Sequence, residues 1–129
     1  MHITEGNVHD VNALDVLTYE PGGFYIMDKA YVDFKRLFII HISKAYYVTR
    51  AKDNFNFRRI SSAKADKING IICDQTVKLK GIKSSANYPE ILRRIKYFDR
   101  EQRRTFVFLT NNFTQPAIEI ALLYKHRWK

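Results

Sequence analysis

Asp28 and the pair Tyr124 and Arg127 are the residues whose types and spacing could do chemistry. Asp28 follows directly on "GFYIM" (residues 23–27), a compact apolar run after two glycines that predicts a buried strand. An acidic side chain there is costly unless it meets a metal, a donor or water. Parallel α/β sheets gather their functional side chains at the carboxyl ends of strands, where such an acid has a use. The other use for Asp28 is to cap a helix beginning near Tyr31. In "YKHRW" Tyr124 and Arg127 lie three residues apart, on one face of a helix, with Lys129 just beyond. A phenol hydroxyl and a guanidinium side by side grip a phosphate, the guanidinium bidentately. The same spacing also serves the charged outer face of an amphipathic helix. No other constellation competes. His2, His9, His41 and His126 are scattered singly, Cys73 is the one cysteine, and no spacing resembles a zinc site. One cysteine cannot form an internal disulfide and fits a reducing cytoplasm.

The elements that must position these residues can be read from periodicity. The apolar residues Leu14, Val16 and Leu17 predict a short helix before a Pro-Gly-Gly break, and "GFYIM" is the first buried strand. Residues 31–43 place Val32, Phe34, Leu37, Phe38 and Ile40 at helical spacing, which leaves Asp33 facing solvent. "AYYVTRA" (residues 45–51) is a second buried strand. Strand, helix, strand over some thirty residues is a βαβ unit with parallel strands and a right-handed connection. "FNFRRI", "INGIICDQTVKLKGI", "EILRRIKYFDRE" and "RRTFVFLTN" then predict a twisted antiparallel sheet of four or more strands. In that sheet Val77, Leu79 and Ile82 would face one side and Lys78 and Lys80 the other. "LTNNFTQP" is a loop with Thr114 as helix cap and Pro116 in the first turn, and a final helix runs from Gln115 to the end. The fold class is α/β: a βαβ core, an inserted mainly antiparallel sheet and a C-terminal helix. No internal repeat or linker divides the 129 residues, which suit one domain.

Charge narrows the partner. The chain carries a net +9, distributed as −3 over residues 1–43, +10 over residues 44–104 and +2 over the remainder. A basic middle beside an acidic front predicts a polyanion-binding surface next to a carboxylate-bearing one. Eight tyrosines and nine phenylalanines favour nucleic acid over a membrane surface, because rings stack on bases while Lys and Arg neutralise phosphates. Arg58, Arg59, Lys78, Lys80, Arg93 and Arg94 are the candidate phosphate contacts. No apolar run approaches the roughly 18 residues of a membrane span. The first ten residues lack the pattern of a secretory signal.

Three stretches in this order resemble the DDE transposases of bacterial insertion sequences, in the group whose signature is Tyr, two residues, Arg, three residues, Glu, six residues, Lys. "DKAYVDF" (residues 28–34) is similar to the family's second-aspartate motif, "YYVTRAK" (46–52) to the strand that follows, and "IEIALLYKHRWK" (118–129) to the opening of the signature helix. "DVNALDVL" (10–17) resembles the run before the second-aspartate strand. The resemblance covers both ends of the chain, and the sheet between them matches in character only.

It implies a partial ribonuclease H-like core over residues 1–52, a β-rich insertion that contacts transposon-end DNA over 53–109, and the signature helix over 110–129. Asp28 would be the second of three carboxylates that hold two magnesium ions in the full-length parent. Tyr124 and Arg127 would bind the DNA backbone near the cut end, and Trp128 sits where an aromatic commonly follows the arginine. The signature glutamate would fall two residues past Lys129, and the family's first aspartate would lie upstream of Met1. The chain is therefore expected to be a piece of a bacterial, cytoplasmic, nucleoid-associated enzyme, to bind DNA without cutting it, and to hold no magnesium stably. Without the first-aspartate strand, "GFYIM" would present an unpaired edge, from which a homodimer is expected. Two rivals share these residues. A non-catalytic nucleic-acid-binding module would use Asp28 as a cap, and a nuclease of the same fold would need no paired DNA ends.

Overall fold

A computed structural model of the protein describes residues 2–5, 19–28, 33–52 and 55–127. Among the described residues, seven strands and three α-helices follow one another as β1 (His2–Glu5), β2 (Gly23–Met27), α1 (Phe34–Ile42), β3 (Tyr46–Ala51), β4 (Phe57–Ala63), β5 (Ile71–Leu79), α2 (Ile82–Asn87), β6 (Leu92–Asp99), β7 (Arg104–Thr110) and α3 (Ala117–Arg127). A single 3₁₀ turn, Lys67–Asn69, precedes β5. The strands form one sheet in the order β1-β2-β3-β7-β6-β5-β4. β1, β2 and β3 are mutually parallel, and every pairing from β3 to β4 is antiparallel. The fold is thus α/β, as expected for a partial ribonuclease H-like core. The antiparallel strands extend its sheet through the β3–β7 pairing rather than forming a separate layer.

Alternation along β2 sorts the core into two sides. Tyr25 and Met27 join Leu37, Ile40, Tyr47, Leu79, Leu92 and Leu109 under α1 and α2. Phe24 and Ile26 join Val48, Ile95, Phe106, Phe108, Ile120 and Tyr124 under α3. Two devices fix the helices. The buried Tyr47 hydroxyl donates to that of Tyr88, which ends α2, at 2.8 Å. Asn111 receives the Tyr47 backbone N–H on Oδ1 at 3.0 Å and donates to the Ala45 carbonyl at 2.9 Å, tying the end of β7 to the start of β3. Among the described residues, no helix is long and apolar enough to cross a membrane.

Several expectations need correction. The outer edge of β2 is paired: His2↔Gly23 through Glu5↔Ile26 place β1 beside it. Dimerisation through an open "GFYIM" edge therefore loses its ground. Asp33 is not a solvent-facing helical residue but the cap of α1, its carboxylate accepting from the Arg36 N–H at 3.2 Å. Ile82 leaves the strand face altogether, because Gly81 ends the extended run and Ile82 opens α2, 93% exposed. Thr114 does not cap α3, which begins at Ala117; the loop before it is closed by Asn112 instead. Its Oδ1 accepts the N–H groups of Thr114 at 3.1 Å and Gln115 at 2.8 Å, as a short amide side chain does when it closes a turn on itself. The predicted helix around Leu14, Val16 and Leu17 lies outside the described residues, as do Trp128 and Lys129.

Candidate functional site

Strand register assembles the site. β2 and β3 run parallel with Met27 beside Thr49, so one step further the chain sets Asp28 beside Arg50 at the carboxyl ends of both strands. Alternation turns both toward the α3 side, since Met27 and Thr49 belong to the other. Arg50 Nε meets Asp28 Oδ1 at 2.9 Å, with about 30% of each side chain exposed (31% and 29%). Asp28 is therefore no helix cap; Asp33 has that task.

The last helix brings the second candidate to the first. α3 crosses the same face and delivers Tyr124, 5% exposed, to Asp28 and Arg50. Burial pushes the Tyr124 hydroxyl up to about 12, and the negative charge of Asp28 and a hydrogen bond to it push the same way. Arg50 and Arg104 oppose the shift. Arg104 stands at the start of β7, with its guanidinium 4.4 Å from the Phe106 ring centre. Arg127 follows Tyr124 by three residues in the last turn of α3 and is half-buried. Around the phenol stand one carboxylate and two arginines, Arg50 and Arg104, with Arg127 three residues further along α3. Guanidinium groups are donors of the kind that phosphate oxygens accept in charge-assisted hydrogen bonds.

The same end of α3 is anchored beside a small cleft bordered by Tyr97, Asp99, Gln102, Phe106, Tyr124 and Lys125. Asp99 is 1% exposed and accepts from the Glu101 N–H at 2.9 Å, while Lys125 Nζ lies 3.4 Å away. Lys125 also reaches Glu101 at 2.8 Å, and that hydrogen bond leads the causes that raise its pKa. These contacts hold the end of α3 against the turn between β6 and β7.

The six basic candidates of the middle segment divide. Arg58 and Lys78 are direct register partners on β4 and β5, so both rise from one side of the sheet. Arg59 pairs with Val77 and points to the other side, its Nη1 3.4 Å from Ser62 Oγ. Arg58, Arg59 and Lys80 are exposed and Lys78 is half-buried, all beyond β6 and β7 from Asp28. Arg93 and Arg94 are each 6% exposed and already engaged. Arg93 forks onto Asp74 at 2.8 and 2.7 Å and donates to the carbonyls of Asn112 and Gln115 at 3.0 and 2.7 Å. Arg94 donates to Gln75 Oε1 at 3.0 Å and lies over the Phe57 ring. As placed, neither can meet a phosphate. Alternation in "RRIKYF" is obscured by these two adjacent arginines, which is why both looked like surface charges.

Sequence reasoning missed Arg50 and Arg104. A signal for Arg50 was present: it stands two residues after Val48, on the buried side of a strand beside Asp28's, where a charge requires a counter-ion.

Over residues 1–129 the chain matches the family model described as "Transposase DDE domain". The chain belongs to the DDE transposase family. It is also 37% identical over 134 residues to "Putative transposase y4zB" of Sinorhizobium fredii (strain NBRC 101917 / NGR234). That alignment takes in all of this chain and 37% of the relative, so the chain spans little more than a third of the relative's length.

Proposed function

We propose that this chain is the part of a DDE transposase that carries the second catalytic carboxylate, Asp28, and the phosphate-gripping residues around it. The observation that carries this reading is the convergence of Asp28, Tyr124 and Arg50 at the carboxyl ends of two parallel strands. They come from separate parts of the chain, and two of them lie in motifs with those spacings in the family.

The protein's own residues have separable tasks. Asp28 offers a hard carboxylate oxygen of the kind magnesium prefers. Among the described residues, no group of three or more His, Cys, Asp or Glu gathers to hold a metal. In this reading Asp28 is one ligand of the family's set of three carboxylates. A full set of bound divalent ions would activate water or a DNA 3′-hydroxyl for in-line attack and stabilise the leaving oxygen. Tyr124 and Arg127 hold the DNA backbone, the arginine by a forked contact and the phenol as a neutral group whose one O–H turns from Asp28 to the phosphate. The Tyr124 hydroxyl is protonated at neutral pH, as an ordinary tyrosine is, and its raised pKa extends that to higher pH.

Arg58, Lys78, Arg59 and Lys80 extend the DNA-binding surface along the antiparallel end of the sheet. Like charges directly opposite each other in a sheet are unfavourable by themselves. The Arg58–Lys78 register pair fits a surface whose counter-charge is a polyanion. In this division residues 1–52 are the partial core, 53–109 the insertion on transposon-end DNA and 110–129 the signature helix. With one carboxylate of three, the chain binds DNA and does not cut it; the longer protein cuts and joins strands in the bacterial cytoplasm.

Fluorescence anisotropy with a labelled duplex over a salt series tests the binding half. Affinity should fall linearly in log–log form as salt rises, with a slope that counts displaced counter-ions. Binding that is absent at low salt would refute it.

A further inference from the structure

We propose that the turn between β6 and β7 grips the DNA backbone beside the Asp28 site, with Arg100 and Arg103 as its phosphate contacts. The inference rests on the reading of the chain as DNA-binding. It goes beyond that reading by assigning a surface that Arg58, Arg59, Lys78 and Lys80 do not form.

Register sets where this turn stands. Arg50 of β3 pairs with Phe108 of β7, and β7 opens four residues earlier, at Arg104. At about 3.4 Å per residue the hairpin projects about 14 Å beyond Arg50, past the carboxyl ends of β2 and β3. That reach is about four base-pair steps of a duplex.

The turn is built to hold its shape. Asp99 and Arg104 face each other as the last register pair, with Arg100 to Arg103 between them. Asp99 Oδ1 accepts the N–H groups of Glu101 at 2.9 Å and Gln102 at 3.4 Å, and Glu101 takes Lys125 of α3 at 2.8 Å. On the outer side the Phe98 N–H donates to the Gly70 carbonyl at 2.8 Å. That contact sets the 3₁₀ turn beside Arg100, whose Nη2 reaches the Lys67 carbonyl at 3.5 Å.

Charge on this edge is sorted. Its acids are engaged within the chain: Asp99 and Glu101 as above, Asp66 by Asn69 at 2.7 Å and Asp28 by Arg50 at 2.9 Å. Arg100, Arg103, Arg104, Lys64 and Lys67 are all exposed there. A fixed set of exposed cations beside neutralised acids suits a polyanion. Arg103 gives a separate sign. Its φ is 55°, in the left-handed region where Gly or Asn is the ordinary turn residue. Closing the turn calls for that backbone conformation and not for a guanidinium, and an outlier of this kind marks a position kept for its side chain.

Anisotropy titrations of a labelled duplex over a salt series test the assignment on the whole chain, after circular dichroism has shown each variant folded. Arg100→Gln with Arg103→Asn should lower the salt slope by about two, since each phosphate contact contributes about one. Lys35→Gln with Lys83→Gln removes the same charge from exposed positions of α1 and α2, on the other side of the sheet, and should leave the slope nearly unchanged. In urea, Arg103→Asn alone should unfold at the wild-type midpoint or above it, because Asn is at ease in the left-handed region, while its duplex binding weakens. An unchanged slope in the turn variant, or equal slopes in the two double variants, would overturn the assignment and leave DNA binding to Arg58 and Lys78. A lowered midpoint in Arg103→Asn with binding intact would make Arg103 a folding residue and overturn it too. If the wild type itself binds no duplex at low salt, both readings fall.

Discussion

In the proposed reading Arg127 and Tyr124 divide one phosphate contact between a charged donor and a neutral one, and their removal should cost unequally. A hydrogen bond to a charged group contributes about 1.5–3 kcal/mol and a neutral one about 0.5–1.5 kcal/mol. Arg127→Ala should weaken duplex binding by tenfold or more and lower the salt slope by about one. Tyr124→Phe should weaken binding less and leave the slope unchanged. Anisotropy titrations at three salt concentrations distinguish the two. At this scale the sequence was legible where a residue's chemistry conflicted with its neighbourhood. Asp28 stood out because an acid ended an apolar run, and the structure places it at a strand end against Arg50 and Tyr124. Arg93 and Arg94 misled for the converse reason. A burial that is satisfied by Asp74, Gln75 and two carbonyls leaves no trace in composition.

Among the elements, α3 matters most, because it carries the proposed phosphate-binding residues toward Asp28. Arg93 holds the loop that launches it. Arg93→Ala would leave Asp74 a buried, unpartnered charge and free the carbonyls of Asn112 and Gln115. Breaking such a pair costs about 3–5 kcal/mol. Urea denaturation should show that loss, whereas replacing both partners with apolar residues of similar volume should restore most of it. The Tyr47–Tyr88 contact plays the same part for α2. Tyr88→Phe leaves the Tyr47 hydroxyl buried without an acceptor and should cost about 1–3 kcal/mol at neutral pH. Burial is the first cause that raises both hydroxyls above the ordinary tyrosine value. Below pH 10 their contribution is complete. As pH climbs above 10, the unfolded chain releases protons that the folded chain retains. Stability should then fall by about 1.4 kcal/mol per pH unit for each tyrosine. Unfolding curves from pH 8 to 11 should show the decline, shallower in Tyr88→Phe. Long periodic elements were legible: "GFYIM" is β2 residue for residue, and the four antiparallel strands fall where their β-rich runs lie. The six-residue α2 was not, since "IKSSAN" has no apolar periodicity and buries none of its own residues.

For the whole molecule, the sheet joins two charge regimes. The parallel strands carry the carboxylate, and the antiparallel strands carry Arg58 and Lys78 at the far end of the same sheet. Replacing both with Gln should lower the salt slope by about two and reduce affinity for all duplexes alike, because phosphate contacts carry no sequence information. That the antiparallel strands continue the core sheet was not legible. β3 pairs with β7 across more than fifty intervening residues, and no local pattern specifies such a partner. The central claim is that Asp28 is a catalytic carboxylate of a longer transposase. The most direct test is strand cleavage by the full-length protein with and without Asp28→Ala, with DNA affinity measured on the same preparations. The account predicts that cleavage is abolished while binding persists. Cleavage at the wild-type rate by Asp28→Ala would contradict it.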